Sequence, residues 1–97
     1  MTIDERELGE TVVLDMRGRL VLEDGDQVLK QRVAALLDAG RRQIVMNVAE
    51  VPYVDSAGLG ALVSVCLSAR SKGAAVKLLN PSKKLLDRSE EHTSELQ

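Results

Sequence analysis

The 97 residues include one tyrosine and neither phenylalanine nor tryptophan. The core must therefore be assembled from Leu, Val, Ile and Ala, and a ligand site built on stacked aromatics is not expected. A single cysteine, Cys66, cannot close an internal disulfide, and with one histidine, His92, the chain offers no recurring metal-ligand spacing. No apolar run approaches the roughly 20 residues that span a bilayer. The opening Met1-Thr2-Ile3-Asp4-Glu5-Arg6 lacks the basic and then apolar pattern of a signal peptide, so a soluble, cytoplasmic protein without membrane insertion is expected. Neither sign of charge dominates: 13 basic and 15 acidic residues give a net charge of −2, with no block that would draw nucleic acid or an anionic membrane. A protein or small-molecule partner fits better, and the length suits one small domain.

What the chain does have is a regular alternation of strand and helix patterns. Val12, Val13, Leu14 and Met16 set against Asp15 and Arg17 predict a strand that ends near Gly18. Ile3 to Leu8 reads as a weaker strand joined to it through Gly9-Glu10. After Glu23-Asp24-Gly25, Asp26 is placed as the cap of a helix whose stripe is Leu29, Val33, Leu36 and Leu37 and which Gly40 stops. Ile44 to Val48, interrupted only by Asn47, predicts a buried central strand of a parallel sheet. Ala57 to about Ser71 carries Leu59, Leu62, Val63 and Cys66 at helical spacing, and Cys66 on that stripe is expected to be a core residue. Ala75 to Leu79 supplies another strand. Asn80-Pro81-Ser82 reads as a turn or helix start, and Lys83 to Asp87 as the opening of a third helix with Leu85 and Leu86 inward. This order predicts an α/β fold: a small mixed, mostly parallel sheet with helices packed around it in a β-α-β-α-β-α sequence.

Between the central strand and its helix lies Asp55-Ser56-Ala57-Gly58-Leu59-Gly60. Each glycine inside a helix costs about 1 kcal/mol relative to alanine, so two in a first turn beside a hydroxyl and a carboxylate mark a candidate site. A hydrolase nucleophile elbow needs glycine two residues before the serine as well as two after, and Val54 occupies the first place. A Ser-His-Asp triad would have to use His92, near the end of the chain; serine hydrolase is retained only as the alternative from another class. Gly58-Leu59-Gly60 is too short for a dinucleotide fingerprint, and no Gly-Lys-Ser/Thr follows to make a P-loop, so neither a cofactor nor an enzymatic activity is expected. Two readings stay open. Asp55 or Ser56 is an N-cap and the glycines allow close packing, or Ser56 receives a modification or touches a partner. A phosphate there would add roughly −1.5 to −2 charges.

Val54-Asp55-Ser56-Ala57-Gly58-Leu59-Gly60 after the strand Ile44-Val48, with Arg17-Gly18-Arg19-Leu20 before the first helix and Lys77-Leu78-Leu79-Asn80 near the end, resembles a STAS domain of the bacterial anti-sigma factor antagonist type. The resemblance covers residues 1 to about 87. It implies a protein that binds a serine-kinase anti-sigma factor and thereby frees a sigma factor, is phosphorylated by that kinase, and is restored by a protein phosphatase. It further implies Ser56 as phosphoacceptor and Asp55, Ser56, Ala57, Gly58, Leu59 and Gly60 as the partner-binding stretch. Asp55 would position the loop, and Gly58, Leu59 and Gly60 would shape the contact surface. Within the same fold the alternative is a STAS subunit of a membrane transporter or stress-sensing complex. The family's closing helix and final strand are expected to be incomplete here. Arg88 to Gln97, which carry one apolar side chain, resemble the in-frame translation of a sequencing adapter, so residues 1–87 are read as the domain and 88–97 as a non-native tail. Residues 1–87 are then formally neutral.

Overall fold

Alternation and turn chemistry make the first hairpin. Thr2–Leu8 forms β1 and Thr11–Arg17 forms β2, paired antiparallel from Thr2 opposite Arg17 to Leu8 opposite Thr11. Gly9 turns the chain between them at φ 63°, a conformation glycine adopts without steric cost. The structure, a computed structural model, describes residues 1–81. The expected third helix at Lys83 to Asp87, with Leu85 and Leu86, lies outside the described residues, as do His92 and the whole of 88–97.

The chain then runs through α1 (Asp26–Asp38), β3 (Gln43–Glu50), α2 (Ser56–Ser71) and β4 (Ala75–Leu79). Strand order is β1-β2-β3-β4, with β2, β3 and β4 mutually parallel. The sheet is therefore mixed and mostly parallel, with β3 in its interior, as the sequence predicts. Val12, Leu14 and Met16 of β2 and Ile44, Met46 and Val48 of β3 pack into one core with Leu29, Val33 and Leu37 of α1 and Leu59, Leu62, Val65, Cys66 and Ala69 of α2. Both helices thus cover the same face. The helical stripes hold, except that Leu36 and Val63 are only partly buried.

Alternation sends the intervening residues to the other face, where polar groups link the strands. Asp4 lies directly opposite Asp15, a like-charge pairing that destabilises a sheet unless each is neutralised. Each has its own arginine. Arg6 Nε donates to Asp15 at 2.6 Å, and Arg17 reaches Asp4 and Glu50, both at 2.6 Å. Asn47, the polar break in the β3 pattern, donates to Asp15 at 2.8 Å and accepts from Asn80 at 3.3 Å. The hydrogen bond from Arg6, then that from Asn47, holds the Asp15 carboxyl below its ordinary pKa.

One boundary needs correction. Asp26 does not cap α1. Gly25 takes the N-cap position at φ 116°, and Asp26 is the first helical residue, buried, with its carboxylate accepting the Glu23 N–H at 3.0 Å. The left-handed glycine turns the chain so that this side chain points back into the loop instead of along the helix.

Candidate functional site

The loop after β2 and the segment after β3 both leave the C-terminal ends of parallel strands, where α/β sheets place their sites. They are stitched together. Leu20 and Val54 form a parallel bridge, the Leu20 N–H donates to the Tyr53 carbonyl at 3.0 Å, and the Asp55 N–H donates to the Leu20 carbonyl at 3.2 Å.

Asp55 is the N-cap of α2, in extended conformation. One carboxylate oxygen accepts the Gly58 N–H at 2.8 Å and the other accepts the Leu22 N–H at 3.1 Å. Its carbonyl takes the Leu59 N–H at 2.9 Å. A single side chain thus closes a helix end, satisfying one of its free donors, and ties down the neighbouring loop. Gly58 is required by contact: a Cβ there would lie 2.0 Å from the Leu20 carbonyl oxygen. Gly60 is different, since a Cβ would meet nothing within 4 Å and the residue is exposed. Close packing accounts for the first glycine and not for the second.

Ser56 is the first residue of α2 and is exposed, and its hydroxyl has no hydrogen-bond partner among the described residues. Ala57 is half-buried, while Gly58 and Leu59 are buried, Leu59 fully. Leu59 thus supports the stretch from the core, and Ser56 and Gly60 are its exposed members.

Two residues around this stretch escaped the sequence reading. Leu22 is 63% exposed and Tyr53 47% exposed, one in each of the stitched loops. The available signal was an apolar residue beside Glu-Asp-Gly and outside any periodic stripe. Glu23 follows Leu22 at φ 62°, an uncommon backbone state for a residue with a Cβ. The next residue, Asp24, pairs with the Met1 amine at 2.9 Å. That hydrogen bond, more than the accompanying charge or Arg19, keeps the Asp24 carboxyl below its ordinary pKa.

A family model described as Mlab, STAS domain matches residues 3–90. The chain belongs to the STAS domain family. No curated protein matches this STAS domain. Among solved structures it shares its fold with the anti-sigma factor antagonist SpoIIAA in unphosphorylated form, at TM-score 0.77 and 20% identity over 92% of this chain and 82% of that one. The Bacillus cell fate determinant SpoIIAA in phosphorylated form gives TM-score 0.76 and 20% identity over 93% and 82%. The murine Solute Carrier 26 family member A9 anion transporter gives 0.70 and 14% identity over 89% of this chain and 14% of the transporter. Among the described residues no helix is long and apolar enough to cross a membrane.

Proposed function

We propose that this STAS domain is a non-catalytic anti-sigma factor antagonist. In the unphosphorylated form it binds a serine-kinase anti-sigma factor in the cytoplasm, which releases a sigma factor. The kinase then transfers the γ-phosphoryl group of ATP to Ser56 Oγ, with ADP leaving and the hydroxyl proton released, and a protein phosphatase hydrolyses the phosphoserine. The exposed Ser56 hydroxyl at the braced start of α2 carries this reading. Both Asp55 oxygens are already engaged, so Asp55 positions the acceptor. About −1.5 to −2 added charges on an exposed first helical residue are tolerated by the helix N-terminus, and not by a partner surface that must desolvate them. The shared fold with SpoIIAA in both forms supports a switch acting at the surface without refolding.

The test is incubation of the purified protein with ATP and the serine-kinase anti-sigma factors of its source genome. Phosphate on Ser56, absent in Ser56→Ala, is expected. Ser56→Asp should weaken anti-sigma binding more than Ser56→Ala does, and equal affinities would defeat the electrostatic account. The likeness to an anion transporter favours a second reading, a STAS subunit of a transporter or stress-sensing complex; tight binding with no phosphoryl transfer would select it.

A further inference from the structure

The two stitched loops are mainly acidic. Residues 18–26 and 50–58 hold Glu23, Asp24, Asp26, Glu50 and Asp55 against a single basic residue, Arg19. The sequence shows no acidic block because these carboxylates are split between distant segments, and the Leu20–Val54 bridge gathers them at one end of the sheet. Arg17 pairs with Glu50 and the Met1 amine with Asp24, whereas exposed Glu23 has no ion pair among the described residues. At the other end of the parallel strands the connections carry Arg41, Arg42 and Lys72, with Glu10 in the hairpin turn, and there Arg41 pairs with Glu7 and Lys72 with Asp38. Within the acidic end sit Leu22 and Tyr53, both exposed, one in each of the loops that the Leu20–Tyr53 and Leu22–Asp55 bonds tie together.

We infer that Leu22, Glu23 and Tyr53 form the docking surface beside Ser56, and that it fits a protein partner presenting Arg or Lys around an apolar recess. This rests on the partner-switching reading of Ser56. Leu22 and Tyr53 supply the apolar anchors, the kind of contact that dominates interface energetics. Glu23 supplies steering and register, acting on the association rate more than on the final affinity. The charge balance disfavours an acidic partner, because like charges brought together are costly. A phosphate on Ser56 adds to the long-range attraction but puts a charge that must be desolvated at the apolar point of closest approach, so it ends the fit without ending the encounter.

The experiment titrates the full isotope-labelled chain by NMR with a synthetic peptide of alternating arginine and leucine, and with its glutamate-leucine counterpart. The cationic peptide is expected to shift the Leu22, Glu23, Tyr53 and Ser56 amides saturably, and the anionic one to leave them in place. Leu22→Ala and Tyr53→Ala, both at exposed positions, should each weaken binding about fivefold or more. Glu23→Gln should weaken it at low salt and not at high salt. Shifts centred elsewhere, or unchanged affinity in both apolar variants, would overturn the surface. So would head-to-tail association of the chain in sedimentation, acidic end to basic end, abolished by Leu22→Ala, because a second copy would then be the occupant. Phosphoryl transfer to Ser56 without these shifts would remove the surface and keep the switch. The shifts without transfer by any of the kinases would do the reverse.

Discussion

A methyl group on Gly58 would collide with the Leu20 carbonyl oxygen, while one on Gly60 would enter open space. The two glycines of one helical turn therefore give opposite outcomes. Gly58→Ala should destabilise the protein by about 1–3 kcal/mol, because forced overlap outweighs alanine's better helix propensity. Gly60→Ala should stabilise it by up to about 1 kcal/mol. Urea midpoints measure both. Asp55→Ala removes the cap of α2 and the acceptor of the Leu22 N–H together, so a loss of about 1–2 kcal/mol is expected, with Asp55→Asn retaining part of it. Faster hydrogen exchange at the Leu22 amide in Asp55→Ala would show that the loop and the helix end share this side chain. Unchanged exchange would separate them.

Across the elements, the hairpin and the two crossovers depend on the polar face as well as the core. The Asp15 carboxyl titrates below its unfolded value. Its contribution to stability is therefore present above about pH 4, and it is lost as pH falls through the lower folded pKa. Thermal melts of Asp15→Asn should accordingly show a shallower loss of stability below about pH 4 than the parent. An identical slope would assign the acid sensitivity to other groups. The described elements were readable in the sequence: Ala75 to Leu79 is β4 as predicted, and the helical stripes hold apart from the half-buried Leu36 and Val63. Asp26 was misplaced because local capping patterns do not anticipate a left-handed Gly25. The Arg6–Asp15–Asn47 bonds and the Asp55–Leu22 bond join residues 9 to 33 positions apart, and no spacing rule marks them. Within the site, Asp55 and Gly58 were legible because a cap and a close approach leave local signatures. Leu22 and Tyr53 were not, because a lone apolar residue in a loop has no period.

For the whole molecule, a mainly acidic surface at the C-terminal ends of the parallel strands implies orientation as well as binding. Association with a basic partner should fall steeply between low and high salt, mainly through the on-rate, as stopped-flow measurement would show. Removing residues 88–97 is expected to leave the melting temperature nearly unchanged, and a substantial fall would show that they contribute to packing. The pairing of Leu20 with Val54 has one more consequence. It forms only once the intervening crossover through α1 and β3 is in place, and long-range parallel pairing of this kind comes late compared with local helix formation. A nascent chain that has just exposed Ser56 lacks the braced loop beside it. Under the proposed function, a kinase or anti-sigma factor that reads the joined surface would engage finished molecules and pass over those still being synthesised or partly unfolded.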